Sequence, residues 1–372
     1  MKVALEFIHN SSLTRISLFF NIAYALKRMG CDVYLLVFKN SLNHRIASSA
    51  GFKTVYNLKN EEFDKALLEN NKGRIQELIS PGHRCKDIIY SEIGYLPYTM
   101  QLDRKGVNSD ASYNVDNNAL YKIERFRNWR SYLKYVEITP YRVSIKKILP
   151  WVISHPAYLG DIAEFLYLKC MRLYYPEKKR TLPDKFFFIP FQLHNDTQIL
   201  HNSPYIHSMH DILELFHDDI RKNFPCYGIV VKEHPYDFGL LAYRGLRRKY
   251  SDVIWLRNYN FNTLIEKCSA MITVNSSSGF KALCRYKKVL TLGNCFYNKN
   301  GFVEHVSRPP LFTEKLSALL KKEVDKSGVD RYMRHFREYI FVDGNISSDG
   351  GIANLKPKTI AEILCYMFEA ER

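Results

Sequence analysis

FFFIPFQLHNDTQ, residues 186–198, divides into two halves of opposite character. Phe186 to Phe191 is an aromatic and branched apolar run, long enough for one buried strand and little else. His194, Asn195, Asp196, Thr197 and Gln198 follow at once and cannot continue such a strand. An open α/β sheet holds its chemistry just past the carboxyl ends of its strands. Asp196, delivered there by a stiff strand, is a candidate nucleophile or base. The competing reading is a polar turn in which Asp196 or Thr197 caps the next helix.

Working outward, the basic, proline-bearing KKRTLPDK (178–185) precedes this strand and reads as the region of a domain boundary. Upstream, Val3–Ile8 is a strand candidate, and Ser11–Ser12 opens a helix that runs to about Met29. Gly30 stops the helix, and Val33–Phe38 is a second strand. A β-α-β opening is how a doubly wound domain starts. It lacks a GxGxxG, so no dinucleotide fingerprint is present. Asp87–Tyr90 predicts another strand, with Glu92-Ile93-Gly94 just after it. Glu92 reads as a general base at the mouth of the first domain or as a plain surface carboxylate. Gly106 and Asn108, in LDRKGVNSDAS, mark a hairpin or turn.

Downstream, Ile206–Phe216 reads as a helix and Tyr227–Val231 as a strand ending in Lys232-Glu233-His234-Pro235. Proline stops the strand and leaves an imidazole and an ammonium at its end, suited to an anionic leaving group. Ala270–Val274 is the next strand, followed by Asn275, Ser276, Ser277, Ser278 and Gly279 and a helical FKALCRY. Strand, serine turn and helix N-terminus can hold a phosphate through free N–H groups and hydroxyls. Ordinary capping explains one serine well and three less well. Val289–Leu292 reads as the last strand of this domain. Helices follow near Thr313–Lys322 and Thr359–Ala370, separated by the polar DGNISSDGG.

A chain of 372 residues suits two α/β domains better than one core. No run of eighteen apolar residues is present, and MKVALEFIHNSS reads as the first strand of a cytoplasmic protein rather than a leader. The eight cysteines show no CxxC spacing and read as reduced, packed thiols. The net charge is +16, and residues 121–180, with thirteen Lys/Arg against five Asp/Glu, hold half of it. Trp129, Tyr132, Tyr135, Tyr141, Trp151, Phe165 and Tyr167 are interleaved there. That mixture fits an anionic membrane surface, a single-stranded nucleic acid, or solvated helix faces.

Taken together, EIGYL with GVNSDAS, FQLHNDTQI, VVKEHPYDFG and TVNSSSGFKAL resemble, in order and separation, the bacterial capsular polysaccharide β-Kdo glycosyltransferases of the KpsS/KpsC type, most closely KpsS. The resemblance runs from about residue 88 to residue 303. It implies a GT-B α/β architecture, two Rossmann-like domains facing across a cleft. The expected division is 1–182 for an acceptor-side domain, 183–335 for a CMP-binding domain, and a 336–372 tail packing back on the first. The implied reaction moves Kdo from CMP-β-Kdo, with retention, to a (lyso)phosphatidylglycerol-type or Kdo-linker acceptor. Asp196 matches the nucleophile and Glu92 the acceptor base. Lys232, His234, Pro235, Asn275 and Ser276 to Ser278 match the donor-phosphate motifs. Gln192 and Gln198 are placed to orient Asp196 or to bind the sugar carboxylate. No cofactor and no metal are expected. The implied partners are the CMP-sugar donor, a glycolipid or phospholipid acceptor, the anionic inner-membrane surface and other capsule-assembly proteins, with no nucleic acid. The implied location is cytoplasmic, peripheral to the inner membrane.

Two departures stand beside the assigned residues: Ile93 where the family has a second acid, and Glu233 before the His-Pro pair where a close relative has histidine. The alternatives are another CMP- or CDP-donor transferase, sialyltransferase-like or a CDP-glycerol glycerophosphotransferase, and a non-catalytic basic protein that binds nucleic acid.

Overall fold

The computed structural model describes residues 1–7, 13–69, 82–111, 129–139, 163, 166, 170, 181–193, 196–234, 237, 242–298, 301–344 and 355–368. Strands β1 (Lys2–Glu6), β2 (Asp32–Leu36), β3 (Lys53–Val55), β4 (Phe63–Glu69), β5 (Cys85–Ile93) and β6 (Thr99–Asp103) belong to a first compact unit. Strands β7 (Phe186–Pro190), β8 (Gly228–Lys232), β9 (Ile254–Leu256), β10 (Ala270–Thr273), β11 (Val289–Thr291) and β12 (Val303–His305) belong to a second. The last strand, β13 (Phe341–Asp343), returns to the first sheet, so that unit is built from both ends of the chain.

In the first unit the sheet order is β13-β6-β5-β4-β1-β2-β3. The strands from β5 to β3 run parallel, whereas β6 pairs antiparallel with both β5 and β13. β1 is central, so both of its faces are buried: Val3 and Leu5 enter one apolar cluster and Ala4 the other. Ile16, Phe19, Phe20, Ala23 and Leu26 share one stripe of the Leu13–Arg28 helix and cover the first cluster. Gly30, at φ 82°, then ends that helix in a conformation that suits glycine.

The helix Pro357–Phe368 buries Ile360, Ile363, Leu364 and Met367 in the same cluster. Its Glu362, 2 % exposed, accepts from the Asp343 amide at 3.1 Å. Lys358 bridges Asp343 at 2.8 Å and Glu362 at 3.5 Å, so the tail is tied to the strand that precedes it.

The second unit is a six-stranded, wholly parallel sheet of order β12-β11-β10-β7-β8-β9. From β7 the chain steps to β8 and β9 on one side, then crosses to β10, β11 and β12 on the other. The switch in direction falls between β7 and β10, where a doubly wound sheet opens a crevice at its carboxyl edge. The aromatic run explains the central place of β7. Phe187, Ile189 and Phe191 fill the core on one face, and Phe188 meets Phe261 on the other.

The topology thus bears out the α/β class and two Rossmann-like units. Three expectations need correction. Glu92 lies inside β5, not beyond it, because the strand continues through Ile93 to pair with β6. β11 is not the last strand of the second unit, since β12 adds one more. Trp129, Tyr132 and Tyr135 are partly buried against the first core instead of standing free of it. Tyr141, Trp151, Phe165 and Tyr167 lie outside the described residues. Among the described residues no helix is long and apolar enough to cross a membrane.

Candidate active site

The sequence-predicted residues of the second unit gather at the carboxyl ends of β7, β8 and β10. Beyond β7, Asp196 is the N-cap of the short helix Thr197–Asn202. Its Oδ1 accepts from the Gln198 amide at 2.9 Å, and its Oδ2 accepts from Gln192 Nε2 at 3.0 Å. The capping reading is therefore correct for the local geometry, and the carboxylate, still half-buried, is clamped by two donors. Gln192 does orient Asp196. Gln198 does so through its backbone, because its buried side chain accepts instead from Asn202 Nδ2 at 3.0 Å.

Asn275 joins this arrangement to β10. It is 1 % exposed, and its Oδ1 accepts from the same Gln192 Nε2 at 3.2 Å. Its Nδ2 donates to the carbonyl of Gln198 at 2.8 Å and to that of Asn202 at 3.4 Å. Every polar atom of the side chain is thus used to lock the Asp196 helix to the turn after β10. Asn275, a candidate donor contact by sequence, serves within the chain as a strut between these two segments. Asn202, which the sequence reading missed, completes the same network and carries no signal beyond its position on a short polar helix.

In the serine turn, Ser276 caps the helix Ser277–Leu283. Its hydroxyl accepts from the Ser278 amide and donates to Ser278 Oγ, both at 3.1 Å. Capping accounts for two of the three serines, which leaves Ser277 as the hydroxyl without a part in it. The Ser276 carbonyl accepts from the buried Tyr297 hydroxyl. Gly279 admits that ring: a Cβ there would lie 2.6 Å from the Tyr297 oxygen.

After β8, the Phe191 amide donates to the Lys232 carbonyl at 2.8 Å, so the His234 segment leaves the sheet beside the Asp196 segment. Lys232 Nζ donates to the carbonyl of Arg257. His234 is half-buried, and its carbonyl accepts from the Asp237 amide at 3.0 Å. Pro235 lies outside the described residues. Glu233, between Lys232 and His234, is buried against Arg247 and Arg257, a pairing that sequence spacing did not reveal.

In the first unit, Glu92 Oε1 accepts from the Ile93 amide at 2.9 Å. Gln101 faces Glu92 across the β5–β6 pairing and is fully buried. Its Nε2 donates to the Ile93 carbonyl at 2.8 Å and to Asn108 Oδ1 at 2.9 Å, and its Oε1 accepts from the Asn108 amide at 2.9 Å. One glutamine therefore ties EIG to GVNSD, and Asn108 adopts the left-handed φ of 57° that its type tolerates. Glu6 and Glu69 end the adjacent strands β1 and β4 at this unit's own switch in direction, the Glu69 amide donating to Glu6 Oε2 at 2.5 Å. Both were missed, although a buried acid closing an apolar strand is a readable signal.

Burial pushes the thiols of Cys85 and Cys284 up to about 11 and that of Cys268 up to about 12, as expected of packing residues.

Comparison with known proteins agrees with the motif resemblance over the second unit. Residues 169–323 match the family model described as capsule polysaccharide biosynthesis protein. The chain is 27 % identical over 163 residues to the capsule polysaccharide export protein KpsS of Escherichia coli, covering 42 % of each. It is 31 % identical over 118 residues to protein FixF of Sinorhizobium fredii, covering 32 % of this chain and 29 % of that one. The matches thus span less than half the length of these curated relatives. Among solved structures, KpsC of Thermosulfurimonas dismutans, a β-Kdo 2,7 transferase, aligns with a TM-score of 0.42 at 16 % identity, covering 86 % of this chain and 90 % of that one.

Proposed function

We propose that this chain, whose residues 169–323 match the capsule polysaccharide biosynthesis family, is a glycosyltransferase that moves Kdo from CMP-β-Kdo with retention. The proposed acceptor is a (lyso)phosphatidylglycerol-type lipid or a Kdo linker. The observation that carries this reading is the Asp196 carboxylate, held by Gln192 at the sheet's switch point and locked to the serine turn through Asn275.

In the first step an Asp196 oxygen attacks the anomeric carbon and the bond to the cytidylate oxygen breaks. CMP leaves with the electron pair, and a glycosyl ester remains on Asp196. Lys232, His234 and the serine turn lend positive potential and donors to the departing phosphate. In the second step the acceptor hydroxyl attacks the same carbon, a general base takes its proton, the role that the motif resemblance offers Glu92, and the Asp196 carboxylate is released. Two inversions give net retention.

Incubation with CMP-Kdo and a short-chain phosphatidylglycerol is expected to yield a product heavier by the sugar. Asp196→Ala is expected to abolish turnover, and Asp196→Asn to leave CMP binding intact. Full activity in Asp196→Ala would overturn the assignment. A donor panel of CMP-Kdo, CMP-sialic acid and CDP-glycerol, read by thermal shift, distinguishes the proposed donor from the alternatives.

A further inference from the structure

The segment that carries His234 is gripped from the inside on both of its flanks, and one helix supplies a grip to each. Glu233, 3 % exposed, pairs with Arg247 and, at 3.4 Å, with Nε of Arg257. Asp237, 4 % exposed, accepts a 2.7 Å hydrogen bond from the Tyr243 hydroxyl. Tyr243 and Arg247 are four residues apart on the helix Ala242–Lys249 and share a face. The backbone amides of the two acids are held as well. The Glu233 amide donates to the Leu256 carbonyl at 2.9 Å, and the Asp237 amide to the His234 carbonyl at 3.0 Å.

Burying two acids is costly, and apolar side chains of similar volume would anchor the segment with less desolvation. What charged and directional partners add is a defined orientation. Burial and the neighbouring Asp237 carboxylate push the Tyr243 pKa up, so its hydroxyl stays protonated as the donor across the working pH range. Arg247 is steadied in turn by the ring of Trp255, 5.8 Å away.

We propose that Tyr243, Arg247 and Arg257 are positioning residues that hold Glu233 and Asp237 and thereby fix the His234 imidazole toward the phosphate of a nucleoside monophosphate leaving group. This rests on the reading of the Lys232–His234 segment as a phosphate site. Glu233 is then no donor ligand, and the departure from the family at this position is a local solution for bracing the histidine.

The test is a double-mutant cycle read by calorimetry with cytidine 5′-monophosphate as the probe. Tyr243→Phe removes one hydroxyl and keeps the ring. It is expected to weaken binding about tenfold, as for loss of one hydrogen bond to a charged group. In a His234→Ala background the same change should cost nothing further. An equal loss in both backgrounds would overturn the proposal, because Tyr243 would then act independently of His234. A second readout needs no ligand. Amide hydrogen exchange at Asp237 should quicken in Tyr243→Phe while the amides of Phe187, Phe188 and Ile189 stay as protected as in the wild type; unchanged exchange at Asp237 would also overturn the proposal. A wild-type protein that binds no cytidine nucleotide would instead count against the functional reading, with the exchange experiment still deciding the brace.

Discussion

At the scale of the residue, Asp196 was readable because an apolar run stops so abruptly in front of it. That the proposed nucleophile is also the helix cap was not. A helix cap and a reacting carboxylate call for the same residue type at the same strand end, and only the geometry shows the second donor. Gln192 supplies that donor from four residues earlier, in a turn whose course depends on Asn275 from another strand. The amide can be turned into a probe. Gln192→Glu places a second carboxylate where the Asp196 oxygen now accepts a hydrogen bond. The amide donor is lost and two acids are brought into contact, so turnover is expected to fall by roughly tenfold or more. A kcat equal to that of the wild type would contradict this.

At the scale of the element, the parallel strands of the second unit were legible as apolar runs with polar ends. The antiparallel additions were not, because β5 and β6 are joined by a turn inside what reads as a motif, and β13 comes from the far end of the chain. Gln101 was invisible for a related reason: a glutamine in mid-strand gains meaning only when its partners, Ile93 and Asn108, are known. The serine turn offers a direct check on element packing. Gly279→Ala brings a methyl within 2.6 Å of the Tyr297 oxygen and 3.0 Å of Thr273 Cγ2, both in buried surroundings. Denaturant unfolding should show a loss of about 1–3 kcal/mol. No loss would mean that Tyr297 does not hold the turn as described.

The β11–β12 edge gives a check in pH. Burial lowers the His305 pKa below its ordinary 6.5, and its Nδ1 lies 3.1 Å from Nδ2 of Asn298, a donor to the neutral ring. Because the folded pKa is the lower one, this contribution is complete above pH 6.5 and is lost as the pH falls through the folded pKa. His305→Gln is expected to narrow the drop in Tm between about pH 7.5 and about pH 5.5. An unchanged drop would assign the acid sensitivity to other groups.

At the scale of the whole molecule, composition announced a large positive charge but not where it faces. Part of the basic-aromatic zone turned out to serve the first core, since Trp129, Tyr132 and Tyr135 pack there. Lys146, Lys147, Lys178 and Lys179 lie outside the described residues and bear on the proposed membrane association through charge alone. Replacing all four with glutamine should weaken sedimentation with phosphatidylglycerol vesicles, at about 1 kcal/mol for each lysine near the surface. Equal sedimentation would remove the membrane surface as a partner and leave the chemistry standing.

That chemistry converges on one covalent bond, and the bond can be weighed. The protein is mixed with CMP-Kdo without acceptor, then examined by intact mass and peptide mapping. The account predicts an added sugar on the peptide that carries Asp196, with release of CMP, and no such adduct in Asp196→Asn. A sugar attached at another residue, or an active wild-type enzyme that never carries one, would contradict it.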